Sequence, residues 1–326
     1  MIPPAGAPQF LAAAGWEGAQ ILPLAGDASF RRYFRVVDDG RRAVLMDAPP
    51  PHEDPRPFVS VAEWLCGHGF AAPAILARDL DEGLLLLEDF GDARLREHLD
   101  AAPQDETALY ARAVNLLVDL HRLPAQAGLP PYDRAVYQRE AGLLTEWFAP
   151  AAGLDVDAAA YVAAWDAVLP IVERDAAPTV SVLRDYHAEN IMLLPDLAYS
   201  HGLGLLDFQD ALAGHPAYDL VSLLQDARRD VSPQVERAML DRYMAAAPVS
   251  ADFEAAYAVL GAQRNAKIIG IFTRLWKRDG KPRYLAYLPR MWNLLERDLA
   301  HPALAPIADW FVANVPAEAR GELAAQ

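Results

Sequence analysis

Cysteine is almost missing from this 326-residue sequence: Cys66 stands alone. No intrachain disulfide and no cysteine-based zinc cluster can form, and a single thiol fits a reducing compartment. The pattern His-Glu-x-x-His is absent too, so zinc chemistry has no footing. Positive charge is scarce: 29 Lys and Arg stand against 45 Asp and Glu, a formal net charge of −16. Non-specific nucleic-acid binding needs the opposite balance. No apolar run approaches the ~18 residues that cross a bilayer, and Met1 to Phe10 lacks the basic and apolar blocks of a signal peptide. The expectation is a soluble, cytoplasmic protein with no nucleic-acid or membrane partner. The oligomeric state is not legible.

What is present suffices for two domains or one large two-lobed unit: 53% of the residues are hydrophobic. After a short helical segment ending near Trp16, Ile21–Leu24, Phe30–Val37 and Ala43–Asp47 read as strands. Turn signals at Gly26-Asp27 and Asp38-Asp39-Gly40 separate them. Phe58, Val61, Ala62 and Leu65 share one face of a helix, and Ala74–Asp79 and Leu84–Glu88 form another strand pair. Beyond Asp89–Asp92 the pattern turns helical: Asp105–Arg122, Tyr137–Phe148, Ala158–Arg174, and most of the chain after Ala217. Two short strands, Ile191–Leu194 and Gly204–Leu206, interrupt it. This predicts an α+β fold with residues 1–90 as one lobe and 91–326 as a second, mainly helical lobe.

The sharpest chemical signal is Arg184-Asp185-Tyr186-His187-Ala188-Glu189-Asn190, followed by a strand and then Leu205-Leu206-Asp207-Phe208-Gln209. Asp185 and Asn190 lie five apart on a loop, Asn190 opens a strand, and a second strand delivers Asp207. Such a hairpin can bring Asn190 and Asp207 together as hard oxygen ligands for Mg²⁺, which takes one or two carboxylates plus phosphate oxygens. Asp185 is then free to accept a hydroxyl proton, and these are the parts that phosphoryl transfer uses. Either aspartate alone would read as a turn residue; the ordered set reads as a kinase.

Asp-x-x-x-x-Asn followed by Asp in a short apolar strand resembles the catalytic and metal-binding loops of protein kinases and aminoglycoside phosphotransferases. The resemblance implies a bilobal protein-kinase-like fold with the active site between the lobes, ATP as phosphoryl donor, Asp185 as catalytic base, and Asn190 and Asp207 on magnesium. Gly214-His215-Pro216-Ala217-Tyr218-Asp219 also resembles this family. There the aspartate caps a helix and braces the catalytic loop, a part that falls to Asp219.

By the same resemblance the N-terminal third holds the nucleotide. Gly26, Ser29, Phe30 and Arg32 belong to a phosphate-covering loop, and the main chain of Glu88, Asp89 and Phe90 is the hinge that meets adenine. Read from the residues alone, a plain hairpin fits the loop equally well. One position departs from the family: Met46 stands where kinases place a strand lysine, and the helix residue Glu63 has no evident partner. Either the protein is a silent binder, or Arg31, Arg32 or Arg35 supplies the charge. Strand alternation puts Arg31 and Arg35 on one face and Arg32 on the other.

Gly-Asp-Ala-Ser-Phe-Arg-Arg-Tyr-Phe-Arg-Val, Val-Leu-Met-Asp-Ala-Pro-Pro and Arg-Asp-Tyr-His…Asn are similar to bacterial anomeric N-acetylmuramate/N-acetylglucosamine kinases, which act in peptidoglycan recycling. The implied acceptor is the C1 hydroxyl of an amino sugar. Arg264, Lys267 and Arg274, with Arg278, fall on one helical face, a stripe that suits a lactyl carboxylate; a solvated basic face fits the same spacing. His187 is a further candidate for a substrate contact, as are Gln138, Arg139 and Glu140 for sugar hydroxyls, although plain helix-surface polarity also fits these three. The alternative function is a kinase for choline, an aminoglycoside or an amino acid.

Overall fold

The computed structural model describes residues 1–24 and 30–323 of the chain. The strands are β1 (Gln20–Pro23), β2 (Arg32–Asp38), β3 (Arg41–Asp47), β4 (Ile75–Asp79), β5 (Leu84–Glu88), β6 (Val180–Val182), β7 (Ile191–Leu193), β8 (Leu203–Leu205) and β9 (Leu212–Gly214). The α-helices are α1 (Ala7–Ala13), α2 (Arg56–Gly67), α3 (Leu95–Ala101), α4 (Glu106–Leu120), α5 (Arg134–Ala141), α6 (Ala149–Ala151), α7 (Ala158–Val168), α8 (Pro170–Glu173), α9 (Ala217–Leu224), α10 (Pro233–Ala246), α11 (Phe253–Lys277), α12 (Leu288–Leu299) and α13 (Ala305–Asn314). The fold class is α+β, as expected. No helix among the described residues is long and apolar enough to cross a membrane.

Two compact units divide the chain: residues 1–113 with 189–211, and residues 114–188 with 212–326. The expected division at residue 90 follows the change from strand to helix pattern. The compact units follow packing instead, so α3 and the β7–β8 hairpin belong to the unit that holds β1–β5.

In the first unit β1–β5 form one antiparallel sheet in the order β1-β2-β3-β5-β4, and β7 and β8 form a hairpin of their own. One face is apolar: Phe34, Val36, Ala43, Leu45, Leu84 and Leu86 are buried against Leu11 and Trp16 at the α1 end of the chain. The run Leu84–Leu87 is buried on both faces, which is why it is continuously apolar rather than alternating. The β7–β8 hairpin is stitched to this unit by main-chain bonds: Leu205 N–H donates to Ala71 O at 2.8 Å and Leu193 N–H to Ala93 O at 2.7 Å.

The second unit is built around α11, a 25-residue helix buried on almost every side. Gly270 lets it run against the main chain of Leu143, where an added Cβ would lie 2.3 Å from the Leu143 carbonyl carbon. Two expected helices are broken. α5 ends at Ala141, and a π-helical turn, Leu144–Phe148, follows. The long helix expected over 158–174 is interrupted around Leu169, because Pro170 has no N–H to continue the ladder. The antiparallel pair of β6 and β9 was not expected; three-residue strands are too short to show alternation.

Candidate active site

Asp185 lies in the loop after β6, and in the second unit buried groups brace that loop from below. The N–H groups of Leu183 and Arg184 donate to the two carboxylate oxygens of Asp219, at 2.7 and 2.8 Å. Asp219 is fully buried in the first turn of α9. Hydrogen bonds to a charged acceptor are worth roughly 1.5–3 kcal/mol each, so two of them fix the loop firmly. Ser222 donates to Arg184 O at 3.0 Å, and Arg264 donates to the Ser222 hydroxyl at 2.9 Å. The helix-capping part expected of Asp219 is not seen: the N-cap of α9 is Pro216, with no side-chain cap.

Arg184 takes a left-handed backbone, with φ of 70°, a conformation that usually marks a constrained site. Its guanidinium pairs with Glu140, which also accepts from the Tyr132 hydroxyl and lies 3.0 Å from Lys267 Nζ. Burial pushes the Glu140 carboxyl up, but Lys267 and Arg184 outweigh it and leave the pKa below its ordinary value. Asp185 behaves alike. Burial raises it; His187, Lys267, Arg264 and Arg184 together bring it below the ordinary aspartate value. At neutral pH it is an anion, the state a proton acceptor needs.

These contacts revise the expected substrate residues. Arg264 is 4% exposed and bonded to Ser222 and to Gln225 O, so it acts behind the loop. Lys267 is tied to Glu140 and to the Tyr218 hydroxyl. Around Arg264 and Lys267 the stripe is therefore not a solvated face but part of buried networks, whereas Arg278 at its end is exposed and pairs with Asp279. Gln138 donates to Asp166 at the surface, and Arg274 has Arg278, Asp279 and Glu146 as its charged neighbours, so neither is brought to Asp185. His187 is buried, and its Nε2 accepts from Arg228 at 3.1 Å. Burial holds its pKa below the usual histidine value. Glu140, considered for sugar hydroxyls, is instead a buried ion-pair hub.

In the first unit, Ile191 pairs with Leu205, and Leu206 N–H donates to Asn190 O at 2.9 Å, so Asn190 lies beside the segment that carries Asp207. Asp207 is also left-handed, with φ of 59°. Its Oδ1 accepts from Gln209 at 2.9 Å and lies 3.6 Å from an Arg31 nitrogen. The next residue, Phe208, is fully buried and stacks on Phe58 of α2 with ring centres 4.9 Å apart. The donor set of one carboxylate and one amide oxygen fits a divalent cation that completes its shell with phosphate oxygens and water.

The sheet register sorts Arg31, Arg32 and Arg35 between the two faces of the sheet. Cross-strand partners share a face, so Tyr33, Met46 and Leu85 form one row, and Arg35, Val44 and Leu87 the next. This face is opposite the one buried on α1. Arg31, two residues before Tyr33, continues it by alternation, and its side chain is 12% exposed. Arg32 is on the other face, paired with the buried Asp47; it does not fit the nucleotide role first given to it. Arg35 holds Asp89 and Asp92, the corner after β5. Met46 is fully buried, and Glu63 pairs at the surface with Arg78 at 2.8 Å, so it is not a partner for a strand cation.

At the hinge, the Glu88 N–H already donates to Ala74 O at 2.9 Å and is not the donor expected for adenine. A cavity of about 360 Å³ opens beside Glu88, Asp89 and Phe90, closed on its other side by Leu194 and Tyr199. Phe30 is exposed and stacks on His52. Gly26 and Ser29 lie outside the described residues. Ser222, Arg228 and Asp226, which bond to the loop, carry no motif of their own in the sequence.

Comparison with known proteins matches residues 20–260 to the model of the phosphotransferase enzyme family. The chain belongs to that family. It is 39% identical to an N-acetylmuramate/N-acetylglucosamine kinase of Caulobacter vibrioides, over 95% of this chain and 96% of that protein. A kinase of the same name from Pseudomonas aeruginosa is also 39% identical, over 95% and 93%. In fold the chain is similar to a choline/ethanolamine kinase family protein from Mesorhizobium loti, with a TM-score of 0.65 at 15% identity, covering 93% of this chain and 97% of that one. This family member is thus a phosphotransferase with a kinase-like fold.

Proposed function

We propose that this protein is an ATP-dependent kinase that phosphorylates the anomeric C1 hydroxyl of N-acetylmuramate and N-acetylglucosamine, in the cytoplasm, as a step of peptidoglycan recycling. The observation that carries the reading is an anionic Asp185 in a braced loop among cations, in a chain alike over nearly its whole length to two proteins of that name. Asp185 accepts the proton of the C1 hydroxyl as its oxygen attacks the γ-phosphorus. The bond from that phosphorus to the bridging oxygen breaks, and ADP leaves. An anomeric hydroxyl is more acidic than an ordinary alcohol, so a carboxylate of low pKa suffices. Asn190 and Asp207 would hold magnesium, which when bound neutralises the phosphate charge. Arg31 adds a positive charge beside Asp207, the part the strand lysine plays elsewhere. Residues 1–90 hold the nucleotide in this reading, and 91–326 supply the base and the acceptor site.

The cations around Asp185 speak against a polycationic aminoglycoside or choline as acceptor, and Arg31 beside Asp207 against a silent binder. The test is ADP release with ATP, Mg²⁺ and a panel of amino sugars, choline and aminoglycosides. Turnover with both N-acetyl sugars is expected. Turnover confined to choline or an aminoglycoside would overturn the reading.

A further inference from the structure

In the second unit a cavity of about 390 Å³ lies next to the loop that carries Asp185, outside every residue assigned above to the base or the metal. Its link to the loop is Asp226. This buried carboxylate accepts from Ala188 N–H at 3.3 Å, three residues after Asp185, and from Arg228 N–H at 2.8 Å. Three arginines line the cavity, Arg229, Arg290 and Arg297. Arg290 is built into the wall: its side chain is 24% exposed and one nitrogen donates to Ala227 O at 3.0 Å. The rest of its fork grips a carboxylate, that of Asp230, at 2.5 and 2.7 Å. Asp230 is 81% exposed, so the pair has a fixed cation and a solvent-side, displaceable anion. Pro289 and Leu294 give the cavity an apolar side as well.

We propose that this cavity is the acceptor subsite for a sugar acid, and that Arg290 binds the acceptor's carboxylate in the place Asp230 occupies in the free protein. A planar guanidinium binds carboxylates in two-bond pairs, and one carboxylate can replace another there without loss of geometry. A neutral amino sugar uses the same cavity without displacing Asp230. The inference rests on the amino-sugar kinase reading and deepens it: Arg290 is what distinguishes N-acetylmuramate, with its lactyl carboxylate, from N-acetylglucosamine.

The test compares wild type, Arg290→Gln and Asp230→Ala on both sugars, by steady-state kinetics and by calorimetric binding of each sugar in the absence of nucleotide. Arg290→Gln is expected to lower kcat/KM and affinity for N-acetylmuramate roughly ten- to a hundredfold, the loss of one charged pair, and to leave N-acetylglucosamine within about twofold. Asp230→Ala removes the internal competitor and is expected to tighten N-acetylmuramate alone, a gain that misfolding cannot produce. Equal losses on both sugars in Arg290→Gln, with no gain in Asp230→Ala, would overturn the proposal. A wild-type protein inactive on every amino sugar would instead overturn the kinase reading beneath it.

Discussion

Two arginine-rich stretches, one at the start of β2 and one along α11, look alike as sequence and behave oppositely in the structure. Around β2 the side chains alternate faces, so Arg31, Arg32 and Arg35 are sorted at once. Arg32 goes to Asp47 on one side; Arg31 and Arg35 go to Asp207 and Asp89 on the other. Along α11 the helical spacing also predicts a face, but the helix has no solvent side at Arg264. There the cations neutralise buried carboxylates and brace main chain. A strand charge is sorted by pleat alone; the use of a core-helix charge depends on every element packed around it.

The largest expected effect lies in the α11 surroundings. With Asp185 as the proposed base, Asp185→Asn should lower kcat by at least ~10² in a protein that still melts cooperatively. Rate measurement and a melting curve on the same sample decide it, and near-wild-type turnover would remove Asp185 from the role of base.

Next comes Glu140, which pairs two cations. Glu140→Gln leaves Arg184 and Lys267 without their shared anion, and breaking a buried pair in this way costs about 3–5 kcal/mol. Because the folded pKa of Glu140 is depressed, its contribution is present above the ordinary glutamate value of about 4.3. That contribution is lost as pH falls through the folded value. The stability gap between wild type and Glu140→Gln, read by denaturant melts, should therefore be wide at pH 7 and narrow in acid. A gap independent of pH would contradict the ion-pair account.

The smallest effect sharpens the β2 side. Arg31→Ala should weaken ATP, in equilibrium binding as well as in KM, by roughly tenfold, the worth of one charged contact. Arg32→Ala should leave ATP affinity unchanged. Equal effects in the two variants would mean that the sheet register does not decide which arginine meets the nucleotide.

Much of this was legible in the sequence. The order of the five strands around α2 and the hairpin carrying Asn190 and Asp207 follow from alternation and turn residues, because each strand has one face on a core or is wholly apolar. The Asp185 loop was legible because its residues come in a fixed order. What holds that loop was less so. Asp219 could be named from its motif, whereas Glu140, Ser222 with Asp226, and Arg264 come from three places in the chain and meet the loop only through packing. Glu63 shows the reverse error: helical position marked it for a strand cation, and a surface arginine took it.

The most direct test of the central claim is the position of the new phosphate. Purified protein, ATP and Mg²⁺ are incubated with N-acetylmuramate and with N-acetylglucosamine, and the products are read by ³¹P and ¹H NMR. The account expects phosphate on C1 of both sugars, seen as coupling between phosphorus and the anomeric proton. Phosphate on another hydroxyl, or ATP left intact with both sugars present, would contradict it.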